Sequence, residues 1–206
     1  RFGVADGLPS ATVFRVMFAR DGAAWFATAG GISRFDGYEF ANLTRTEGLP
    51  AVDARGVAQT RDGAIWFAFG LGGLASYVPA DSAGPARAAA VSEPSLKKYD
   101  MELRSTPDGA LWERRRRDVV RYEGKHETVF TNAYTRAPGY FNAHLAVAPD
   151  GRVWLTGIGS GLVRFDRTNM TRLTPKDGLL SMDTGGLSVA PDGAVWFGDG
   201  RGALTR

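Results

Sequence analysis

The sequence predicts an all-β protein made of five repeats, each folding as a small antiparallel sheet of four strands. The first observation is an Asp-Gly pair that recurs along the chain, each time with a tryptophan four residues after the Asp. The second is the spacing: the tryptophans are Trp25, Trp66, Trp112, Trp154 and Trp196, so successive ones lie 41, 46, 42 and 42 residues apart. This period is typical of one four-stranded blade of a β-propeller.

The fourth repeat shows how a sheet follows from the residues. The Asp150-Gly151 pair tolerates the positive φ that a tight hairpin turn requires, so residues 145–148 and 152–156 are predicted to be paired antiparallel strands. Gly161–Asp166 follows a glycine-rich joint and is predicted to be the third strand.

The first repeat predicts all four strands. They are an inner strand at 13–19, a second at Ala24–Thr28, a third at Gly31–Phe35 and an outer strand at 38–43, each short and rich in aliphatic or aromatic residues. A single sheet of this size cannot cover its own apolar faces, so the repeats must stack. We therefore expect each indole to pack between neighbouring sheets rather than to bind a ligand.

Two repeats depart from the pattern. Residues 79–94 are rich in Ala and Pro and predict a surface excursion, with a short helix or a loop as alternatives at 87–91. In the third repeat a run of four arginines replaces the glycine-rich joint at 113–118. We interpret it as a solvated loop with Glu113 and Asp118 as partial partners, and an anion-binding rim is the alternative.

The two ends of the chain suggest how the repeats close. The chain ends in the third strand of the fifth repeat, and Phe2 precedes Gly7 by the same five positions that separate Leu173 from Gly178. The N-terminal residues are thus predicted to complete the last blade of a five-bladed propeller, which leaves no open sheet edge. The alternative is an open piece of a larger propeller. Both place residues 1–206 in a single domain.

Composition excludes several functional classes. The 25 Lys and Arg nearly balance 22 Asp and Glu, for a net charge of +3, which argues against a nucleic-acid partner. The absence of cysteine excludes disulfides and thiolate metal sites, and no metal or cofactor motif is recognisable. No apolar run is long enough to span a membrane, so no membrane contact is expected within this segment. Because the chain opens at Arg1 without Met, we expect it to be part of a longer protein.

The order of motifs resembles the two-component regulator propeller repeat. It runs Gly-Leu-Pro, inner strand, Asp-Gly-x-x-Trp-Phe and Gly-Gly-Ile-x-Arg-Phe-Asp, best matched by residues 7–36, while the second repeat lacks Arg-Phe-Asp and the third lacks the Gly-Gly joint. The resemblance implies the periplasmic sensing part of a bacterial membrane receptor, tethered to a histidine kinase, a diguanylate cyclase or a transcription factor module. Members commonly carry two seven-bladed propellers, and several respond to oligosaccharides.

The inner strands of a propeller line its central channel, and the residues at their starts vary where the rest of the repeat is constant. A constant scaffold with variable polar groups suits a binding mouth, although channel mouths are polar in any case. We expect a small polar ligand such as an oligosaccharide. The predicted ligand-binding residues are Arg15, Asp53, Arg55, Asp100, Glu102, Asn142, His144 and Asp183, with Arg115 and Arg116 if the arginine run shares that face.

Enzymatic activity is not expected, because no catalytic set of residues is recognisable. One alternative is a lyase resembling streptogramin lyase, with His144 as the general base, whereas His126 is predicted to lie in an outer strand. A second alternative is a protein-interaction platform that uses the same face, and a dimer would fit it. No cofactor is expected under any of these hypotheses.

Overall fold

The computed structural model describes residues 2–70, 73–78, 87–90, 102–115, 117–124, 126–134 and 143–206. Within these ranges the regular structure consists of β-strands and three single-turn 3-10 helices. The chain divides into two compact units, residues 1–103 and 104–206. The prediction of an all-β protein is confirmed.

Unit 1 contains two four-stranded antiparallel sheets, and in each the chain runs up and down between adjacent strands. The first sheet is β1 (Val13–Phe18), β2 (Ala24–Thr28), β3 (Gly31–Phe35) and β4 (Phe40–Leu43). The second is β5 (Ala54–Gln59), β6 (Ile65–Phe69), β7 (Leu74–Val78) and β8 (Arg87–Ala90).

Unit 2 contains the third, fourth and fifth sheets, the third beginning with β9 (Glu102–Ser105) at the unit boundary. The third sheet continues with β10 (Leu111–Arg115), β11 (Asp118–Glu123) and β12 (His126–Phe130). The fourth is β13 (His144–Val147), β14 (Val153–Gly157), β15 (Gly161–Asp166) and β16 (Asn169–Leu173). The fifth has three strands, β17 (Thr184–Val189), β18 (Val195–Asp199) and β19 (Leu204–Thr205).

The alternatives of a helix or a loop at 87–91 are wrong, because Arg87–Ala90 is a strand. It pairs with β7 in the register Val78↔Arg87 to Ala75↔Ala90. Pairing with the free edge of β7 satisfies the backbone hydrogen-bonding groups, and this outweighs the helical preference of the alanines. The remainder of the predicted excursion, 79–86 and 91–94, lies outside the described residues.

The prediction of a solvated loop at 113–118 is also wrong. Glu113 and Arg114 belong to β10 and are buried, at 1% and 2% exposed, and Asp118 is the first residue of β11. The cross-strand pair Arg115↔Asp118 leaves only two residues for the turn. Arg114 and Arg115 therefore continue the strand, and the turn is as short as that of the first sheet, where Thr28 pairs with Gly31.

Trp25 and Trp112 pack as predicted, whereas Trp66 and Trp154 are half-buried and Trp196 is 37% exposed. In unit 1, Trp25 is 1% exposed and its ring lies 5.5 Å from Phe67 and 5.0 Å from Tyr77, both in the second sheet. In unit 2, Trp112 is 1% exposed and lies 5.7 Å from Phe165 in the fourth sheet. The indole of one sheet thus covers the apolar face of the next, and this contact joins neighbouring sheets.

The first and last sheets each expose apolar side chains. In the first sheet Phe18 is 77% exposed, and Val16 is exposed whereas the corresponding Val57 of the second sheet is buried. In the fifth sheet Trp196 is 37% exposed and Leu204 is exposed. The exposed Val16 and Trp196 thus correspond to residues that are buried in other sheets, Val57 and Trp25.

The N-terminal residues do not form the expected outer strand. Phe2 packs against Phe35 and Phe40 of the first sheet, at ring distances of 5.0 and 5.5 Å. A 3-10 turn begins at Val4, and Gly7 then takes a φ of 112°. Since the turn starts this early, residues 2–12 contain no strand, and the fifth sheet has three strands among the described residues.

Candidate functional site

The repeated Asp and Trp hold the scaffold together. In the second sheet the Thr60 hydroxyl donates to Asp62 Oδ1 at 2.6 Å and accepts from Trp66 Nε1 at 3.2 Å. Thr106 does the same in the third sheet, where Trp112 Nε1 donates to it at 3.3 Å. In these two sheets the Thr, Asp and Trp side chains are hydrogen-bonded to one another, so their role is structural.

The first sheet lacks this bridge. Ala19 stands where the second and third sheets have a threonine, with the same backbone hydrogen bond across the turn. Consequently Trp25 Nε1 is buried and has no hydrogen-bond partner among the described residues. A buried donor without an acceptor destabilises the folded state.

In the first and third sheets the third-strand arginine that precedes an aromatic and an acidic residue is structural too. It reaches from the third strand to the turn carboxylate, with distances of 3.3 Å for Arg34 to Asp21 and 3.0 Å for Arg121 to Asp108. In the fourth sheet the corresponding Arg164 instead pairs with Asp166, at 3.2 Å. Arg121 lies opposite Trp112 in the strand register, with its guanidinium carbon 6.0 Å from the ring centroid. In the third sheet this arginine therefore links the turn, the indole and the third strand.

This ion pair keeps both partners charged. Burial raises the pKa of Asp108, but hydrogen bonds from the Thr106 hydroxyl, the Ala110 amide and the Arg121 guanidinium outweigh it and hold the pKa below its usual value. Burial lowers the pKa of Arg121, and its bonds to Glu123 and Asp108 more than reverse that effect.

At the starts of the inner strands in unit 1, Asp53 and Arg55 form a two-point ion pair. Arg55 Nε and Nη2 lie 2.8 and 3.0 Å from the two carboxylate oxygens. The Arg55 guanidinium also lies 3.8 Å from the ring centroid of Phe14 in β1. A side chain at Gly70 would meet Asp53 Oδ2 at 2.5 Å, so a larger residue there would displace the Asp53 carboxylate. The pair thus ties the first sheet to the second.

Two other predicted residues of unit 1 have different environments. Arg15 is half-buried opposite Ala27, and its Nη1 donates to the Phe14 carbonyl at 2.9 Å. Glu102, the first residue of β9, is buried. Arg15 is therefore the more accessible of the two.

In unit 2, Asp183 and His144 lie at the starts of inner strands. Asp183 Oδ1 accepts a hydrogen bond from the Gly159 amide at 2.8 Å, which ties the joint of the fourth sheet to the fifth. His144 is half-buried and pairs with Thr156 across β13 and β14. Of the remaining predicted residues, Asp100, Asn142, Arg116 and the side chain of Arg115 lie outside the described part of the chain.

Strand register identifies equivalent positions in four of the sheets. In each of these sheets, the second residue after the tryptophan has a cross-strand partner on the inner strand. That partner is Arg15 in the first sheet, Gly56 in the second, His144 in the fourth and Gly185 in the fifth. The same position of the sheet therefore carries an arginine, a histidine or a glycine, depending on the repeat. Asp53 and Arg55 are the predicted site residues that the structure brings into direct contact.

A second region, which the sequence did not reveal, lies at the opposite end of the strands in unit 2. It is a cleft of about 660 Å³ beside the Asp-Gly turns of the third and fourth sheets. The predicted binding residues lie at the inner-strand starts and in the arginine run, away from this cleft. The sequence held one indication of this region: Arg167 stands in the last hairpin of the fourth repeat, where the third repeat has Gly124. The cleft is lined by Pro107, Asp108, Pro149, Asp150, Gly151, Arg152, Asp166, Arg167, Thr168 and Asn169.

The described residues contain no group of three or more His, Cys, Asp or Glu side chains that could hold a metal ion. They also contain no helix that is long and apolar enough to cross a membrane.

The chain matches no protein-family model and no curated protein, but its structure is similar to solved β-structures. The extracellular domain of a hybrid two-component system from B. thetaiotaomicron aligns with a TM-score of 0.66 at 14% identity, over 93% of this chain and 27% of that one. Virginiamycin B lyase from Staphylococcus aureus aligns with a TM-score of 0.67 at 20% identity, over 93% and 64%. A 6-phosphogluconolactonase-like protein from Bacteroides fragilis aligns with a TM-score of 0.60 at 17% identity, over 95% and 70%. The chain thus spans about a quarter of the two-component protein, and it shares a propeller-like all-β fold with all three.

Proposed function

We propose that the chain is the ligand-sensing propeller of a bacterial signal-transduction receptor, located outside the cytoplasm. Its ligand is a small polar molecule such as an oligosaccharide, bound at the starts of the inner strands. The observation that carries the proposal is the variation among equivalent positions, Arg15, Gly56, His144 and Gly185, on a scaffold whose turns and indoles repeat. A rigid frame with variable polar groups is the usual design of a recognition surface.

Arg15 is the best candidate for direct ligand contact in unit 1. Its hydrogen bond to the Phe14 carbonyl leaves further guanidinium N–H donors for ligand oxygens. Arg55, in contrast, is occupied by Asp53 and Phe14. We therefore assign ligand binding to Arg15, and positioning of the first two sheets to Arg55.

A location outside the cytoplasm is supported by similarity of fold. The two-component protein that the chain resembles is described as an extracellular domain, and this chain covers 27% of it. The output module and the membrane anchor would belong to other parts of such a receptor. This assignment treats residues 1–206 as one functional domain.

The experiment is a thermal-shift screen with neutral and acidic oligosaccharides, since a ligand that binds the folded state raises the melting temperature. One class of sugar should stabilise the wild type, and Arg15→Ala should remove that stabilisation. Arg61→Ala is the matched control, because Arg61 is exposed beside the Asp-Gly turn at the other end of β5. Absence of a shift across the whole panel would contradict sugar sensing.

We propose that this segment is not catalytic, although two of the similar structures carry enzyme names. Only two histidines are present in the chain, and His126 starts the outermost strand of the third sheet. His144 therefore has no second histidine on an inner strand. Turnover of a bound sugar, followed by chromatography of the products, would overturn this proposal.

A second candidate function, protein association, is favoured by the exposed apolar side chains of the first and fifth sheets. We propose that a further sheet of the same repeat packs on each of these faces, from a second copy or from additional blades. Light scattering should then show concentration-dependent association that Phe18→Ser reduces. Tyr38→Ser is the control, since Tyr38 is also exposed but lies outside the strands. A monomer at every concentration would contradict association between copies.

A further inference from the structure

The cleft beside the Asp-Gly turns of the third and fourth sheets contains an arginine in a costly backbone conformation. Arg167 has a φ of 39°, and Asn132 is the only other described non-glycine residue with positive φ. Asparagine tolerates this region through local hydrogen bonds, but arginine has no such compensation.

The corresponding hairpin of the third sheet shows what the turn prefers. There the two-residue turn between Glu123 and His126 begins with Gly124, at a φ of 59°. In the fourth sheet Asp166 pairs with Asn169, and Arg167 occupies the place of that glycine. A residue that strains its turn where glycine would relax it indicates a functional demand on the side chain.

The carboxylates in the cleft are already engaged by other arginines. Asp108 Oδ2 lies 3.0 Å from Arg121, and Arg152 lies 3.1 Å from Asp150 and 3.2 Å from Asp166. The three cleft carboxylates are thus paired with Arg121 and Arg152, and they do not need Arg167 to balance their charge.

Arg167 is the least committed charge of this region. Its side chain is 79% exposed, and among the described residues its nearest anionic atom is Asp108 Oδ2 at 3.9 Å, which Arg121 holds more closely. Thr168 and Asn169 follow it directly along the cleft wall. A planar guanidinium with its donors available is suited to grip a two-oxygen anion.

We propose that this cleft binds a small organic carboxylate, held by the Arg167 guanidinium. Three carboxylates line the cleft, so a singly charged carboxylate suffers less repulsion there than a doubly charged phosphate. Pro107 and Pro149 supply apolar surface for the body of the ligand, and the volume of about 660 Å³ accommodates one or two rings. The site lies at the opposite end of β13 from His144, and so does not depend on the function proposed above.

The test is an NMR titration of the whole chain with glucuronate and benzoate, which separate a sugar acid from a non-sugar acid, and with glucose as the uncharged comparison. At least one carboxylate should cause saturable shifts of the Gly151, Thr168 and Asn169 amides, and glucose should not. Binding by glucuronate alone would identify a sugar-acid site, and binding by both would identify a general carboxylate site. Absence of shifts with both acids at millimolar concentration would overturn the proposal.

Arg167→Gly distinguishes loss of binding from loss of folding. Because it relaxes the turn, it should raise the melting temperature by about 2–4 °C while weakening carboxylate binding by about tenfold or more. Arg201→Gly is the charge-matched control, since it removes an exposed arginine from the fifth sheet and should leave binding unchanged. Carboxylate binding that survives in Arg167→Gly would also overturn the proposal.

Discussion

The most specific test of the scaffold is to give Trp25 the hydrogen-bond partner that its repeat lacks. The substitution is Ala19→Thr, which copies the arrangement around Thr60. The backbone is already correct, because Ala19 N donates to the Ala23 carbonyl at 2.8 Å as Thr60 N does to the Ala64 carbonyl at 3.0 Å. The new hydroxyl should accept from Trp25 Nε1 and donate to the carboxylate of Asp21.

The expected gain in stability follows from the buried Trp25 Nε1, which has no hydrogen-bond partner among the described residues. A buried donor without a partner costs about 1–3 kcal/mol, and a new hydrogen bond recovers much of this. The added heavy atoms enter a buried site, so crowding costs part of the gain. Ala19→Val introduces the same crowding without the hydroxyl. We expect Ala19→Thr to be more stable than Ala19→Val by about 1–2 kcal/mol.

The assay is urea denaturation of wild type, Ala19→Thr and Ala19→Val, followed by circular dichroism and tryptophan fluorescence. The reverse pair, Thr60→Val and Thr60→Ser, checks the same bridge where it already exists, and the serine should retain more stability. Equal stability of the threonine and valine variants at position 19 would refute the argument about Trp25.

Three further predictions concern the same scaffold. Trp25→Ala or Trp112→Ala should lower the free energy of unfolding by about 3–5 kcal/mol, whereas Trp196→Ala should cost clearly less because its indole is 37% exposed; equal losses in denaturation would contradict the packing. The pKa values of Asp108 and Glu123 are lower in the folded state, so these groups bind fewer protons there, and their stabilisation is present above about pH 4 and lost as the pH falls. Arg121→Met should therefore flatten the acid limb of a stability–pH profile, and an unchanged limb would exclude the pair as its source. Arg55→Ala should lower the free energy of unfolding by about 1–2 kcal/mol, because it removes the Asp53 ion pair and the Phe14 contact. Urea denaturation measures this loss, and an unchanged denaturation midpoint would contradict it.

Much of the fold could be predicted because one local signal recurs at a fixed distance. Asp-Gly requires a turn with positive φ, and this turn fixes where the two flanking strands pair. The tryptophan four residues later then falls on the face that meets the next sheet. The strand positions in the first and fourth repeats follow from these two facts, to within one or two residues at the ends.

The errors arose where long-range contacts decide the structure. The 113–118 segment has the charge of a loop, but it forms a hairpin with a two-residue turn, and Glu113 accepts a hydrogen bond from Tyr122 across that hairpin. Arg87–Ala90 has helical composition, but it completes the edge of the second sheet. Neither partner is visible from local sequence.

The candidate site could be predicted only in part. Asp53 and Arg55 were predicted as ligand-binding residues at the start of an inner strand, but the contact of Arg55 with Phe14 depends on how the first two sheets pack. The cleft beside Arg167 arises between two repeats and involves turns 42 residues apart in the chain, those at Asp108 and Asp150. Its one sequence signal is the replacement of a turn glycine.

Trp25 and Trp112 form contacts between neighbouring sheets, each packing its indole against an aromatic ring of the next sheet. This packing can be measured by NMR of the five indole N–H groups in the presence of a soluble paramagnetic agent, with each signal assigned by a Trp→Phe substitution. Trp25 and Trp112 should be protected from the agent, and Trp196 should be strongly affected. Paramagnetic relaxation of Trp25 or Trp112 as large as that of Trp196 would contradict this packing.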